Sequence, residues 1–412
     1  MPPGGRYSWA VETDRGPAPL ADMRVLDLSR HVAGPYCTKL LADFGADVTK
    51  VEPPDGDPAR RYSPGGPTAP GEESPLFLHL NTSKRSVTLN LNHKRGQGLL
   101  ARLLARSDAL VHDYAPAEAA RLGVSSDALC QRFPRLVVAA ITSFGLTGPE
   151  RDRPASDLLL FARSAVARMY GDRRRTPLKQ YGFQAQYLAG LTAATGVMLA
   201  LRWRRFNGRG QVIDVSILEA MLQLHEDALA RHSYFGEERD RAYNRRPGQY
   251  PHGFFPCADG HVAIAAVMPQ QWDGLALLMG RDDWRADPSL QTAEVRDARA
   301  AQLDAPLRAW LRQNTRAKLT EAAQELRTAV TPVLSPAGAL KHPQLAARGY
   351  FDETRHPRAG KLRYAGLPFR LGGFEALRRP APALGEDNDE VYQGLLGIPD
   401  AEMRRLRAEG AL

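Results

Sequence analysis

Short apolar runs alternate with amphipathic stretches through the first third of the chain. Five runs have the length and β-branched content of buried strands: "RVLDLS", "ADVTKVE", "SVTLNLN", "DALVHDY" and "RLVVAAITSF". The helical stretches between them include "PYCTKLLADFG", which ends at Gly45, and "HKRGQGLLARLLARS". Strands that alternate with helices are typical of a parallel sheet covered on both faces. The pattern therefore predicts an α/β fold whose large domain is Rossmann-like.

The first junction between a strand and a helix, "SRHVAGPY", argues against one common use of such a fold. It lacks the GxGxxG pattern, in which glycines let the pyrophosphate of a dinucleotide approach the backbone. We therefore do not predict a dinucleotide site at this junction, and the ligand has to be inferred from other residues.

The pattern changes after Gly236. The stretch "HGFFPCADGHVAIAAV" predicts a hairpin around an Asp259-Gly260 turn, and three helical stretches follow it. About a hundred residues of this kind predict a second, smaller α+β domain. The predicted organisation is a flexible tail at residues 1–20, the first part of the large domain at 21–225, the small domain at 226–330, and a return segment at 331–412 that completes the large domain.

The chain carries a net charge of +9, from 55 lysine and arginine residues against 46 aspartate and glutamate residues. Such a balance favours an anionic partner. The basic residues are spread along the whole chain, and no zinc-finger or RNP-like motif is present, so we do not predict nucleic-acid binding. A small phosphorylated ligand accounts for the charge equally well.

Cysteine usage and hydropathy bear on the compartment. Cys37, Cys130 and Cys257 lie far apart and form no CxxC pair or ligand cluster, so we predict neither a disulfide framework nor a metal site. No apolar run approaches membrane-spanning length, and the N-terminal stretch lacks the basic-then-apolar layout of a signal peptide. We therefore expect a cytoplasmic protein without a membrane partner.

Seven stretches carry a pattern that covers almost everything from residue 22 to the C-terminus. They are "VLDLSRHVAGPYCTKLLADFGADVTKVEPPDGD", "LNTSKRSVTLNL", "RLGV" with "FPRLVVAAITSFGLTGPERDRPASD", "YLAGLTAATGVMLALRWRRFNGRGQVIDVSILEAML", "FFPCADGHVAIA", "HPQLAARGYF" and "LGEDNDEVYQGLLGI". In this order they resemble the family III coenzyme A transferases. That group contains carnitine dehydratase and bile-acid-inducible protein F, formyl-CoA transferase and α-methylacyl-CoA racemase.

The resemblance implies an architecture and a substrate. It implies a large Rossmann-like domain built from both ends of the chain, with the smaller domain inserted. It also implies two interlocked chains, either a homodimer or a heterodimer with a paralogue. The implied ligands are coenzyme A or an acyl-CoA as substrate and a small-molecule acceptor, with no metal.

The same resemblance implies which cations contact the nucleotide of coenzyme A. Lys84 and Arg85 are the strongest candidates because this basic pair directly precedes a predicted buried strand, and Arg60 is a weaker one. An ordinary surface side chain is the competing interpretation for each cation. His31 is expected beside the thioester, where it would donate a hydrogen bond, act as a base, or simply cap the next helix. The implied nucleotide-binding cations are Arg30, Lys84, Arg85, Arg121 and Arg60.

The predicted catalytic position departs from the family pattern. In the transferases an aspartate at the start of a small-residue helix attacks the acyl-CoA, and matching "QYLAGLTAATG" to that pattern places it at Gln186. A carboxamide is a poor nucleophile, so the usual covalent cycle should be blocked. The two bases of racemase chemistry would correspond to Ser156 and Gln186, which disfavours two-base racemisation.

Several functions remain open at this stage. The first is direct acyl transfer to a bound acceptor, with Gln186 as the positioning group and His31 or Asp157 assisting proton transfer. The second is an inactive subunit paired with an aspartate-bearing paralogue. The third is a CoA-ester lyase or dehydratase, or a racemase-like isomerase, and a scaffold without activity is the non-enzymatic alternative. For Asp157, capping its own helix competes with the catalytic role.

Overall fold

The computed structural model describes residues 18–63, 74–225, 227–242, 244–372, 374–376 and 378–412. Most of the predicted tail at residues 1–20 lies outside these ranges. The described residues form two compact units. The first comprises the described parts of Met1–Val166, Gln180–Glu226 and Gly349–Leu412, and the second those of Ala167–Lys179 and Asp227–Arg348.

Strands and helices alternate through the N-terminal part of the first unit. The strands in the described ranges are β1 Arg24–Asp27, β2 Asp47–Glu52, β3 Arg85–Thr88, β4 Ala109–His112, β5 Val137–Thr142, β6 Val212–Ser216, β7 His252–Cys257, β8 Gly260–Ala265, β9 Val330–Pro332, β10 Phe351–His356 and β11 Gly360–Ala365. The α-helices there are α1 Ala33–Asp43, α2 Pro75–Leu80, α3 Lys94–Leu104, α4 Pro116–Leu122, α5 Ser126–Arg132, α6 Asp157–Arg163, α7 Gln184–Asn207, α8 Ile217–Leu222, α9 Ala228–Phe235, α10 Pro269–Leu278, α11 Asp282–Ala286, α12 Ala293–Ala298, α13 Ala300–Arg312, α14 Arg316–Glu325, α15 Pro336–Leu340, α16 Pro343–Ala347 and α17 Asp400–Ala408. A π-helix covers Asp389–Leu395, and 3-10 helices cover Pro58–Arg61, Val166–Met169, Gln223–His225 and Pro288–Gln291.

A six-stranded parallel sheet forms the centre of the first unit. Its strand order is β3-β2-β1-β4-β5-β6, so that β1 lies between β2 and β4. Every residue of β4 and β5 is buried, which agrees with their unbroken apolar sequence. The predicted α/β class and the Rossmann-like parallel sheet are confirmed.

The C-terminal segment covers the edge of this sheet at β3. The backbone amide of Ser86 donates to a carboxylate oxygen of Asp387 over 2.7 Å, and that of Thr88 donates to the side-chain oxygen of Asn388 over 2.9 Å. These two side chains, which lie in the "GEDND" stretch, take the place of a neighbouring strand. An edge covered in this way cannot pair with another chain, and the end of the chain is thereby joined to the large unit.

The second unit contains a three-stranded antiparallel sheet, β7-β8-β9, and helices α9 to α16. The predicted hairpin is present, with Cys257 paired to Gly260 at its end. The predicted boundary at residue 330 differs from the observed division, because β9 pairs with β8 from Val330 to Pro332. Residues 331–348 consequently group with the second unit, and the return to the first unit begins at Gly349.

Neither a membrane span nor a metal site is found in these ranges. None of the helices in the described part of the chain combines the length and the apolar character that crossing a bilayer requires. Within the same part of the chain, no three His, Cys, Asp or Glu side chains are grouped as metal ligands would be.

Candidate functional site

The order of the parallel strands creates a crevice at the carboxyl ends of β1 and β4. From β1 the chain proceeds through β2 to β3 on one side, and then through β4, β5 and β6 on the other. In open α/β sheets the connections at such a point diverge, and ligands bind there. The residues that follow β1 and β4, among them Arg30 and His31, therefore line the candidate ligand site.

Two carboxylates hold the backbone that follows β1. The amide of Arg30 donates to Asp113 over 3.0 Å, and the amide of His31 donates to Asp57 over 3.1 Å. Asp113 directly follows β4 and Asp57 follows β2, so the segment is held from both neighbouring strands. His31 has a φ of +60°, which is uncommon for a residue with a Cβ. The two hydrogen bonds stabilise this conformation and leave the imidazole exposed in front of α1.

Arg30 is placed at the crevice, but its charge is already matched. Its guanidinium lies 3.2 Å from Asp113 and 3.2 Å from Glu118, and it stacks over Tyr114 at 4.6 Å from the ring centroid. Burial works against the charged form, but the two carboxylates raise the pKa of Arg30 above its ordinary value. Arg30 is therefore a fixed cation, and an added phosphate would have to compete with these carboxylates.

Lys84 lies beneath the crevice and is fully buried. Its ammonium donates to Asp27 over 3.0 Å, to the carbonyl of Pro35 over 2.9 Å and to Asn81 over 2.9 Å, which uses all three donors. Burial favours the neutral acid at Asp27, but Lys84 and Lys50 lower the pKa of Asp27 well below its ordinary value. This pair fixes the end of β1 against α1, and its position argues against direct contact between Lys84 and a phosphate.

The other three predicted cations are not gathered at the crevice. Arg60 is buried and forms a two-pronged ion pair with Glu52 at 2.7 and 2.8 Å. Arg85 pairs with Asp47, the first residue of β2, at the opposite end of that strand, and with Glu390. Arg121 is exposed at the end of α4, where it donates to Asn92 over 2.6 Å. Of the five cations, only Arg30 lies directly at the crevice. The burial and the positions of the other four argue against a single nucleotide site formed by all five.

The start of α7 packs closely against the start of α1. A Cβ on Gly190 would lie 2.4 Å from the carbonyl oxygen of Ala33, so only a glycine allows the two helices to come this close. The rings of Tyr187 and Tyr36 meet at 4.7 Å, and those of Phe183 and Tyr62 meet at 5.4 Å. These contacts place the first turn of α7 beside the segment that carries His31.

Gln186 belongs to this first turn, between Phe183 and Tyr187. Its side chain is half-buried. Its backbone amide is the group that bonds to the protein, and no described residue hydrogen-bonds its side-chain carboxamide. The carboxamide is therefore available to a ligand, with two donors and one acceptor.

Asp157 caps α7 rather than its own helix. Its buried carboxylate accepts the backbone amide of Gln186 over 3.2 Å, while the residue before α7, Phe183, offers no side-chain cap. The helix that Asp157 begins, α6, is capped by the Ser156 hydroxyl, which accepts from the amide of Leu159 over 3.5 Å. A carboxylate at a helix amino end stabilises that end. This geometry favours a positioning role for Asp157 over proton transfer.

Burial at the crevice also changes the protonation of His112, the last residue of β4. Its ring is fully buried, and its Nε2 lies 3.1 Å from the Ser126 hydroxyl. Burial and the nearby Arg30 lower the pKa of His112 to about 4. At neutral pH the imidazole is therefore uncharged in the folded protein.

We expect this histidine to make the fold sensitive to acid. Between pH 6.5 and 4 the unfolded chain binds a proton that folded His112 does not, so the free energy of unfolding falls as the pH falls. The loss amounts to about 2 kcal/mol at pH 5. Urea unfolding of the wild type and of His112→Gln at pH 7 and pH 5 measures it. The pH-dependent loss should be about 2 kcal/mol smaller in the variant, and equal losses would contradict the assignment.

Comparison with known proteins identifies the family of the chain. The model of CoA-transferase family III matches residues 20–388. The chain belongs to CoA-transferase family III. The family predicted from the sequence is thus confirmed.

Relatives and a solved structure match over almost the whole length. The chain is 33% identical over 398 residues to the succinyl-CoA--L-malate CoA-transferase beta subunit of Chloroflexus aurantiacus, covering 95% of this chain and 97% of the relative. It is 31% identical to the formyl-CoA:oxalate CoA-transferase of Streptomyces avermitilis, covering 95% and 99%. A CAIB/BAIF family protein from Brucella suis superimposes with a TM-score of 0.84 at 27% identity, covering 92% of this chain and 100% of that one. These relatives support the predicted enzyme class, a CoA transferase.

Sequence reasoning did not single out the residues that hold the candidate site in place. Asp57 and Asp113 fix the conformation of His31 and Arg30, yet they lie 26 and 83 positions away in the sequence. Their positions carried some signal, because Asp57 lies five residues after the predicted strand "ADVTKVE" and Asp113 lies near the end of the predicted strand "DALVHDY". The aromatic pairs around Gln186 became visible only with the packing of α7 on α1.

Proposed function

We propose that this protein transfers coenzyme A from an acyl-CoA thioester to a carboxylic acid without forming an acyl-enzyme at Gln186. The observation that carries the proposal is the uncharged carboxamide at the start of α7, which has no hydrogen-bond partner among the described residues and lies beside the segment that follows β1. An amide cannot serve as both nucleophile and leaving group as a carboxylate does. Membership of CoA-transferase family III supports CoA transfer as the reaction class.

In the proposed route the acceptor acid supplies the nucleophile. Its carboxylate oxygen attacks the thioester carbonyl carbon, the C–S bond breaks, and coenzyme A leaves as the thiolate. The donor acyl group and the acceptor acid are then joined in a mixed anhydride. The thiolate attacks the acceptor's carbonyl carbon, the C–O bond breaks, and the donor acid leaves as a carboxylate. The exchange neither gains nor loses a proton, so neither His31 nor Asp157 has to act as an acid or a base.

Gln186 stabilises the negative oxygen of the tetrahedral intermediates in this proposal. Its carboxamide N–H donates to the oxyanion, a contact that is stronger in the transition state than in the bound substrate. Asp157 fixes the backbone of Gln186 and thereby the direction from which the carboxamide is presented. His31 offers a second hydrogen-bonding group, held at the crevice by Asp57.

The names of the relatives suggest which acids to test first. The two named acceptors, L-malate and oxalate, are both short dicarboxylic acids, and the two named donors are succinyl-CoA and formyl-CoA. We propose a short dicarboxylic acid as the acceptor class for this chain as well. The net charge of +9 is consistent with anionic substrates.

A second candidate is a silent subunit of a heterodimer. The name of one relative identifies a beta subunit, so subunit pairs occur in proteins similar to this one. In that case the chain would bind coenzyme A and contribute to an interlocked dimer, while an aspartate-bearing partner carries out the transfer. A homodimer is the expected assembly if the first proposal is correct.

Binding and turnover separate the two candidates. Calorimetry should detect binding of coenzyme A by the purified protein. A mass-spectrometric screen with succinyl-CoA or formyl-CoA and malate or oxalate should detect acid exchange, and Gln186→Ala should lower kcat about a hundredfold, the usual cost of one oxyanion donor. Binding without turnover, with turnover restored by co-expression of an aspartate-bearing relative, would support the second candidate instead. Absence of coenzyme A binding would contradict both.

A further inference from the structure

The second unit contains an arginine-rich cavity of about 620 Å³. Its walls come from the segment around residue 173, from residues 240–242 and 244–247, and from α13. A volume of this size is typical of sites for small molecules. The side chains that carry charge there are Asp172, Arg173, Arg174, Asp240, Arg241, Arg245, Asp304 and Arg308.

Three of the five guanidinium groups have no carboxylate partner among the described residues. Arg173 and Arg174 are exposed and take part in no ion pair there. The guanidinium of Arg241 donates, within the described ranges, only to backbone carbonyls, those of Asp172 over 3.2 Å and Arg173 over 3.4 Å. Carbonyl oxygens orient this guanidinium but do not neutralise it, so its positive charge faces the cavity uncompensated.

The other two guanidinium groups share a single carboxylate. Arg245 lies 2.8 Å and Arg308 3.7 Å from the same oxygen of Asp304, and the Tyr250 hydroxyl donates to its other oxygen over 3.0 Å. One negative charge thus serves two cations and a hydroxyl. Burial and Asp304 raise the pKa of Tyr250, so this hydroxyl remains a donor.

The remaining two carboxylates are engaged by the backbone. Asp172 accepts the amide of Arg174 over 2.9 Å, and Asp240 accepts the amide of Arg241 over 2.8 Å. Counting every carboxylate as charged, five arginines face three aspartates, which leaves the lining with a charge of +2. An antiparallel backbone bridge between Asp172 and Ala242 joins two of the walls and fixes their backbones relative to each other.

We propose that this cavity binds a small doubly charged oxyanion, either a free dicarboxylate or a phosphomonoester group. Guanidinium forks bind carboxylate and phosphate oxygens in pairs, and a dianion would neutralise the excess charge. The cations lie on separate walls, with Arg173 and Arg174 on one segment and Arg245 and Arg308 on two others. This arrangement suits an anion whose negative charge is distributed over several oxygen atoms. The site lies wholly in the second unit and does not depend on the reaction proposed for Gln186.

The test compares a cavity variant with a matched surface variant. Arg173→Gln combined with Arg174→Gln removes two cations that have no partner among the described residues, so folding should be preserved, as a thermal unfolding scan would verify. Arg175→Gln, exposed and outside the lining, is the control. Calorimetry is performed with succinate, and with coenzyme A against dephospho-coenzyme A, which lacks the 3′-phosphomonoester. We expect the double variant to bind succinate at least tenfold more weakly than the control, with an affinity that falls as salt is added.

The arms of this experiment distinguish the two sources of the anion. Weaker binding of succinate alone identifies a dicarboxylate site. Weaker binding of coenzyme A, with dephospho-coenzyme A unaffected, identifies a phosphomonoester site. Equal affinities of the double variant and the control for all three probes, or no binding of any probe by the wild type, would overturn the proposal. Loss of turnover in Gln186→Ala with these affinities unchanged would bear on the proposed function alone.

Discussion

Gln186→Asp is expected to form a covalent adduct with acyl-CoA that the wild-type protein does not form. The substitution places a carboxylate oxygen at the first turn of α7, and the amino end of a helix favours a negative charge. That oxygen can attack the thioester and later leave, which the carboxamide cannot do. Intact-protein mass spectrometry after treatment with hydroxylamine or borohydride should show a modified Asp at this position.

A neighbouring glutamine provides the control for this substitution. Gln184 lies in the same first turn, is exposed, and donates to the carbonyl of Tyr181 over 3.1 Å. Gln184→Asp introduces the same charge at the start of α7 without placing it at the predicted catalytic position, so it should form no adduct. An adduct in the wild-type protein at some other carboxylate would show that Gln186 does not occupy the nucleophile's position.

Asp57→Ala is expected to destabilise the first unit by about 3–5 kcal/mol, the usual cost of leaving a buried charge without its partner. Lys50 and Asp57 form an ion pair at 2.8 Å, and each side chain is 1% exposed. Burial opposes ionisation of Asp57, but Lys50 holds its pKa below the ordinary value. The substitution also removes the acceptor that holds the amide of His31, so binding of coenzyme A should weaken in parallel.

Urea unfolding at neutral pH measures the first effect and calorimetry the second. Asp55→Ala is the matched control, because Asp55 is two positions away and exposed, and its side chain makes no hydrogen bond to the described residues, while its backbone carbonyl accepts from Arg61. The control should change the free energy of unfolding by less than about 0.5 kcal/mol. A loss of similar size in both variants would mean that the Lys50–Asp57 pair does not stabilise the crevice.

The alternation of apolar runs indicated strands β1 to β5 of the six-stranded central sheet, because a strand that is buried on both faces is apolar along most of its length. In β4 and β5 every residue is buried, and the unbroken apolar run in each strand shows this burial directly in the sequence. The boundary of the second unit was harder to predict. Strand β9 has only three residues and is defined by its pairing with β8, a contact that short-range patterns do not reveal.

The candidate site was predicted less completely, since residue type alone does not determine burial. Lys84 and Arg85 are adjacent in sequence, yet Lys84 is buried against Asp27 while Arg85 pairs with Asp47 at the start of β2. Asp27 lies 57 positions from Lys84, so no local pattern could indicate that this ammonium is already used. Family resemblance pointed to Gln186, whereas the cap from Asp157 required the fold.

The most direct test of the proposed route follows the oxygen atoms of the acceptor acid through a single turnover. An acceptor found active in the screen is labelled with ¹⁸O in its carboxylate and mixed with acyl-CoA and an excess of enzyme. In the direct route one labelled oxygen passes through the mixed anhydride into the released donor acid, and the protein gains no label. Label retained in a protein carboxylate, with none in the released donor acid, would contradict the account.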